Sequence, residues 1–317
     1  MNYRMLGNTP LKVSEICYGT MTFGAYTDVK ESEEIFNKAL ELGINFFDTA
    51  EVYGGKFGYS EEILGKIMKD KRKDIILSTK VHGFMEPNRY QSRKEIIETL
   101  EQSLKRLKTD YIDVYFLHWN DPYVSIEERL NTLDKLVKDG KIRYIGTSNF
   151  DSWLVYKMLK YSRDFNLQPI SVMQEIFNPV DFDVKKEIIS LAKEEKLGIM
   201  VYSPLASGFL TGKYKKGEKP PAGSRGDIKM DWEKKRWEFR FSDYGFKILD
   251  IFENISKKYN ATISQIVISY LLSFEVFSTI IIGAKDLKQL VENVKGVDIK
   301  IENSDIENIK NNSYFLY

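Results

Sequence analysis

The chain has 317 residues, 43% of them hydrophobic, enough to bury a large core. Its 47 basic residues nearly cancel its 46 acidic ones, so the charge balance points to neither nucleic acid nor an anionic membrane surface as a partner. Cys17 has no second cysteine to pair with, and together with His82 and His118 it supplies too few ligands for a Cys/His zinc site, which does not bear on a carboxylate-rich one; no metal is assigned. The opening MNYRMLGNTPLKV lacks the pattern of a secretory signal, and no apolar run is long enough to span a bilayer. A reducing, cytoplasmic setting is the resulting expectation.

Apolar positions around Gly7, Asn8, Thr9 and Pro10 predict a hairpin in the first fifteen residues. Eight strand-like runs follow, at 16–20, 44–48, 75–80, 112–118, 142–149, 171–175, 198–203 and 279–283. Each is almost continuously hydrophobic, the pattern of strands buried on both faces. Helices alternate with them. Asp28 with Glu31, Ser92 with Glu95 and Ser125 with Glu128 fit capping boxes, and Ser60 precedes an acidic first turn. Gly43, Gly140 and Gly198 are expected to end helices. The alternation implies parallel strands joined by right-handed crossovers. Eight strands favour a closed α/β barrel, a (β/α)8 TIM barrel spanning residues 1–317 as one domain. Periodicity alone also admits an open doubly wound sheet.

Residues 205–242 interrupt this rhythm with Gly217, Pro220, Pro221, Gly223, Gly226, many charges, Trp232 and Trp237. So long a connection in a compact domain is usually functional or disordered, and its tryptophans argue against full disorder. Helices are expected at 243–258 and about 262–273, with a further C-terminal helix from Glu302 and an apolar flap ending in SYFLY.

In a βα barrel, active sites gather at the C-terminal ends of the strands. The second run ends in Asp48, with Tyr53 just beyond; the third ends in Lys80; the fourth ends in His118 and Trp119. Each has a plain explanation alone: a helix cap, a snorkelling lysine, a packed tyrosine, a satisfied core histidine. Together at consecutive strand ends they suit one task. A tyrosine can protonate a carbonyl oxygen, and a neighbouring ammonium is expected to lower its pKa from about 10. Asp48 would offset the burial of Lys80, and His118 would orient the carbonyl.

The segments MNYRMLGNTPLKVSEICYGTMTFG, GINFFDTAEVYGGKFGYSEEILGK, LKTDYIDVYFLHW, GKIRYIGTSNF, YSPLASGFLTGKY and IIGAKDLKQLVEN resemble the aldo-keto reductase family over nearly the whole chain. The resemblance implies a catalytic tetrad of Asp48, Tyr53, Lys80 and His118, with Tyr53 as general acid in reduction. It implies NADPH/NADP+ bound across the barrel mouth without a Rossmann motif, and no G-x-G-x-x-G follows a strand here. Ser148, Asn149 and Gln174 match residues that contact the nicotinamide carboxamide, and Tyr202 matches the ring that stacks on the nicotinamide. Gly19, Thr20 and Met21 match backbone lying against the cofactor. Ser203, Leu205, Ser207, Gly208, Leu210 and Lys213 match the pyrophosphate loop, whereas Ser207-Gly208 read from the residues alone is equally an ordinary turn. Gly283, Ala284, Lys285, Gln289, Glu292 and Asn293 match the adenosine end. Many relatives carry arginine where Lys285 stands, so NADH is kept as a second cofactor. Relatives also often carry proline where Ile282 stands.

Substrate contacts are expected from Tyr53, His118 and Trp119, with pocket walls drawn from Tyr26, Phe84, Met85, Trp119, Trp232 and Trp237. The partner is then a small carbonyl or alcohol, and residues 205–242 are expected to fold over the cofactor. Two further readings stand beside this one. One is an NADPH-binding regulatory protein with slow turnover, like the channel-associated members of the family. The other is Schiff-base chemistry on Lys80. The sequence sets neither the carbonyl, nor the direction of reaction, nor the oligomeric state.

Overall fold

Alternation along the strands divides their buried side chains between two cores. A computed structural model describes residues 1–82, 90–181, 186–228 and 233–313. In it β1 (Tyr3–Met5) and β2 (Lys12–Ser14) form an antiparallel hairpin. The strands β3 (Ile16–Gly19), β4 (Phe46–Asp48), β5 (Ile76–Val81), β6 (Ile112–Leu117), β7 (Ile142–Ser148), β8 (Ile170–Ile176), β9 (Gly198–Tyr202) and β10 (Phe277–Ile282) follow. All eight are parallel, and β10 pairs with β3 to close the barrel, which removes the open-sheet alternative. The first six helices are α1 (Val29–Glu41), α2 (Tyr59–Ile67), α3 (Arg93–Leu107), α4 (Ile126–Lys138), α5 (Ser152–Asp164) and α6 (Lys186–Glu195). Beyond β9 come α7 (Arg225–Ile228), α8 (Lys234–Arg240), α9 (Asp243–Lys258) and α10 (Ile263–Leu272). After β10 come α11 (Leu287–Val294) and α12 (Asn303–Asn312). Residues 314–317 of the expected apolar flap lie outside the described residues. Among those described, no helix is long and apolar enough to cross a membrane.

Ile16, Tyr18, Phe47, Leu77, Tyr115, Leu117, Met173 and Val201 point outward and pack beneath the helices. Their strand neighbours Cys17, Phe46, Val114, Phe116, Val172, Met200 and Ile281 fill the barrel interior. The hairpin stoppers that interior from below, because Leu6 and Val13 belong to the same cluster. Its turn needs glycine. Gly7 has φ 59°, and a Cβ there would lie 2.2 Å from the amide nitrogen of Gly198.

That contact corrects one expectation. Gly198 does not end a helix; it opens β9, and a Cβ on it would press to 3.0 Å from Gly7 and Leu6 backbone atoms. Lys196, with φ 55°, takes the left-handed position after α6. Gly43 and Gly140 do adopt it, at φ 84° and 75°. Of the three expected capping boxes, the one at Asp28 and Glu31 is closed in both directions. Ser92 and Ser125 each accept the expected N–H, while the Glu128 carboxylate serves a neighbouring helix, accepting from the Arg93 N–H at 2.8 Å. Ser60 is not a cap: α2 starts after Gly58, and the Ser60 hydroxyl reaches back to Thr20 O at 2.8 Å.

The described residues between 205 and 242 are built around aromatic packing. Trp237 is fully buried, 5.4 Å from both the Tyr214 and Phe241 rings, with Phe209 on the far side of them. It is therefore core, not pocket wall. Phe84, Met85 and Trp232 lie outside the described residues.

Candidate active site

The strand alternation that fills the barrel also delivers its polar mouth. Two residues beyond interior Phe46 stands Asp48; beyond Phe116, His118; beyond Val172, Gln174; beyond Met200, Tyr202. Ser78 and Lys80 continue the same series on β5, and Ser148 does so on β7.

Lys80 is fully buried at the centre. Its ammonium donates to Asp48 Oδ2 at 2.6 Å, to Thr49 O at 2.8 Å and to the Tyr53 hydroxyl at 3.3 Å, which uses all three protons. Asp48 Oδ1 accepts from Ser78 Oγ at 2.7 Å and from Gln174 Nε2 at 2.9 Å. Burial disfavours the Lys80 charge, but Asp48 and Tyr53 more than offset it, and its pKa is raised. The Tyr53 ring stands edge-on to His118, with centroids 6.0 Å apart.

The pKa of Tyr53 moves against the sequence expectation. Burial pushes it up, and the pull of Lys80 offsets this only in part. A phenol with a raised pKa stays protonated at neutral pH, the form a general acid requires. Burial drives His118 well below the ordinary histidine range, with the charges of Lys80 and His82 adding to the effect. The imidazole is therefore neutral at physiological pH. Its Nδ1 and the Trp119 indole Nε1 are buried without hydrogen-bond partners among the described residues. Both are polar atoms of the site whose hydrogen-bonding capacity the described protein does not use.

The remaining expected contacts form a strip across the mouth. Asn149 Nδ2 donates to His118 O at 3.1 Å and Ser148 Oγ at 3.0 Å, and Asn149 Oδ1 accepts from the Tyr202 hydroxyl at 2.6 Å. Gln174 has its nitrogen on Asp48. Among the described residues this leaves the Ser148 O–H as donor and Gln174 Oε1 as acceptor, a pair complementary to a primary carboxamide. The chemistry of the mouth therefore fits a nicotinamide. At the seam between β3 and β10 a Cβ on Gly19 would press to 2.7 Å from the Ile281 side chain, whereas a Cβ on Gly283 would make an ordinary contact with Gly19 O at 3.5 Å. Thr20 donates to Asp48 O at 3.2 Å, and Met21 is half-buried beside it.

After β9 the backbone turns left-handed at Ser203, Ala206, Ser207 and Gly208, with φ between 48° and 90°. Such strain in non-glycine residues costs on the order of 1–3 kcal/mol each and collects at functional sites. The Ser207 hydroxyl donates to the Glu233 carboxylate. The Lys213 Nζ lies over Gly208, 3.0 Å from where a Cβ would stand. Leu205 is half-buried, and Leu210 is buried in the core, leaving only its backbone for a ligand.

Lys213 meets Lys285 and a residue the sequence did not single out, Arg225. Lys285 Nζ lies 4.3 Å and the Arg225 guanidinium 5.9 Å from the centroid of the Tyr26 ring. Tyr26 thus stands beside a cation cluster. Burial lowers the pKa of Lys213 and Lys285, and mutual repulsion with Arg225 adds to it. None of the three cations has a carboxylate in ion-pair range among the described residues. On α11, Gln289 caps the turn through Lys285 N–H at 3.1 Å, and Asn293 lies one turn on along the same face with Glu292 beside it. No local signal marks Arg225; it is one charge among many in the long excursion. Ser78 was legible, as the residue two before Lys80.

The sequence profile described as "Aldo/keto reductase family" matches residues 15–313. A rice (Oryza sativa subsp. japonica) protein named "Probable voltage-gated potassium channel subunit beta" is 35% identical over 94% of this chain and 92% of its own length. An Arabidopsis thaliana protein of the same name is 34% identical over 94% and 92%. The "Uncharacterized oxidoreductase YrpG" of Bacillus subtilis (strain 168) is 33% identical over 95% and 93%. With the barrel, the strand-end constellation and these likenesses in place, the chain belongs to the aldo/keto reductase family.

Proposed function

We infer that the protein is an NADPH-dependent carbonyl reductase with Tyr53 as proton donor. The observation that carries this reading is the buried Asp48–Lys80–Tyr53 chain opening onto the neutral His118. Reduced nicotinamide, when bound, supplies the hydride. Ser148 and Gln174 would hold its carboxamide, Tyr202 its ring, and Lys213, Arg225 and Lys285 its phosphates. The chain's own residues handle the oxygen. His118 and Trp119 orient the carbonyl. Tyr53 passes its hydroxyl proton to the carbonyl oxygen as negative charge develops there. The ammonium of Lys80 stabilises the phenolate left behind, and Asp48 keeps that ammonium charged and fixed. In alcohol oxidation the same phenolate accepts the proton.

Tyr53→Phe is expected to slow carbonyl reduction by about a hundred- to ten-thousand-fold while leaving NADPH binding intact. The assay is NADPH consumption over a carbonyl panel, alongside a fluorescence titration. Unchanged turnover in the variant would remove Tyr53 from the reaction. Arg225→Ala tests the cation cluster. NADPH affinity is expected to fall about tenfold, equivalent to ~1.4 kcal/mol, with NADH affinity little changed. An equal loss for both cofactors would place Arg225 away from the 2′-phosphate.

The names of the two plant relatives favour a second reading, a cofactor-binding regulatory subunit. Multiple rapid turnovers support the enzyme; a single slow turnover with tight cofactor retention supports the subunit. Schiff-base chemistry is disfavoured, because it needs a neutral amine and Lys80 is held charged.

A further inference from the structure

Asp48 and Lys80 are held by strands, but Tyr53 is not. It lies in the turn between β4, which ends at Asp48, and α2, which begins at Tyr59. That turn folds on itself. Tyr53 N–H donates to Ala50 O at 3.1 Å, and Tyr53 O accepts from the Ser60 N–H at 3.2 Å. Among the described residues, the last backbone tie from the turn to β5 is at Thr49, whose N–H donates to Ser78 O at 3.0 Å. That tie stops short of Tyr53, so the 3.3 Å between its hydroxyl and Lys80 Nζ needs a further restraint.

Glu51 supplies one. It stands two residues before Tyr53, as His82 stands two residues after Lys80. Its Oε1 accepts from the His82 N–H at 3.2 Å and also meets the His82 ring at Nδ1. The Glu51 carbonyl accepts from the Gly58 N–H at 2.5 Å, closing the turn behind the side chain. Arg106, on α3, backs the carboxylate, with Nη2 3.9 Å from Glu51 Oε2. Arg106 is itself fixed to β5, because its Nε donates to Glu61 at 2.7 Å and Glu61 accepts from Thr79 Oγ1 at 2.6 Å. Glu51, Glu61 and His82 are all buried. A carboxylate is costly to remove from water, and this one takes no part in the Asp48–Lys80–Tyr53 chain. Its contacts run from the turn to the strand end, beside the Tyr53–Lys80 contact. Proton transfer needs its groups within hydrogen-bond reach, and a misplacement of about 1 Å can cost a hundredfold.

We propose that Glu51 is a positioning residue: by gripping His82 at the end of β5, it registers the turn that bears Tyr53 against the strand that bears Lys80. This rests on the reading of Tyr53 as proton donor. Glu51 acts through Tyr53 and contributes little to cofactor affinity.

The test uses Glu51→Met, which removes the acceptor oxygens at similar length, and Glu51→Gln, whose amide oxygen still accepts from the His82 N–H. Each is made alone and with Tyr53→Phe, and thermal midpoints check folding. Should Glu51→Met not fold, Glu51→Asp, one methylene too short to span the gap, takes its place. Single-turnover reduction by NADPH is followed in H2O and D2O, and NADPH affinity by fluorescence titration. Glu51→Met is expected to slow reduction about tenfold, with a larger solvent isotope effect and affinity within twofold of wild type. Glu51→Gln is expected to recover most of the rate. On the Tyr53→Phe background Glu51→Met is expected to slow nothing further, because its effect runs through a hydroxyl already gone. A general packing role gives the same loss on both backgrounds, and that result would overturn the proposal. So would a loss confined to NADPH affinity. If Tyr53→Phe reduces as fast as wild type, the proton-donor reading falls and this inference with it. A slow Tyr53→Phe beside a Glu51→Met as fast as wild type sinks the inference alone.

Discussion

An ammonium taken wholly out of water loses hydration worth several kcal/mol, and Lys80 recovers it through three charge-assisted hydrogen bonds, one of them to a carboxylate. The consequence is a charge that does not titrate in the working range, held against a phenol that does not ionise there either. The pH dependence follows from the signs. Tyr53 donates in its protonated form, and its pKa is raised, so the alkaline limb of kcat/KM for reduction is expected above the ordinary tyrosine value of about 10. His118 is lowered, so the profile stays flat from pH 8 down past the ordinary histidine value of about 6.5. In Lys80→Met the downward pull of the ammonium is gone and the limb moves higher still. Initial rates across the pH range decide it, and an alkaline limb near 8 would contradict the assignment. Asp48, Lys80 and His118 were legible in the sequence because each is a polar residue closing an apolar run. The direction of the Tyr53 shift was not. The sequence displays which neighbour lies nearby, but not how much water has been excluded, and here exclusion outweighs the neighbour.

At the level of elements, periodicity located the strands to within a residue or two, and α9 begins and ends where the pattern put it. The misreadings share a cause: a local motif was given a local role when a distant backbone had claimed the residue. Gly198 looked like a helix stop but is a glycine because the hairpin turn presses on it from nearly two hundred positions away in the chain. Ser60 reads as the residue leading into an acidic first turn; Glu61 and Glu62 do fill that turn, but Ser60 lies inside α2 and its hydroxyl bonds Thr20 at the barrel mouth. Gly7→Ala tests the hairpin contact. Its left-handed φ and the 2.2 Å approach leave no room for a Cβ, so a loss of about 2 kcal/mol or more is expected in urea denaturation. A variant as stable as the wild type would show that the hairpin does not bear on β9.

For the whole molecule, the long excursion is tied down by charge buried within it. Arg240 is fully buried and pairs bidentately with Asp181, at 2.7 and 2.8 Å, and reaches Glu233 at 3.5 Å. Glu233 in turn receives the Ser207 hydroxyl of the strained loop after β9. One network thus joins the ends of β8 and β9 to α8. Arg240→Ala strands Asp181 and Glu233 in the interior and is expected to cost roughly 3–5 kcal/mol, read as a lower denaturation midpoint. If the loop after β9 holds the cofactor phosphates as proposed, dissociation of NADPH, followed by stopped flow, is expected to quicken in the same variant because that loop loses its anchor. Stability lost with the off-rate unchanged would separate the network from the cofactor. Sequence reading saw two tryptophans and a string of charges here, but not which charges meet, since pairings between separate loops leave no periodic trace.

The double use of each strand, inward side chains for the barrel and outward ones for the helices, also bears on how such a protein diverges. The residues of the floor are fixed by a rhythm that runs the length of every strand, so a slip of one position would turn a catalytic group into a packing group. The loops above carry no such rhythm. Selection can therefore rewrite the rim, and with it the molecules admitted, while the chemistry underneath is inherited intact.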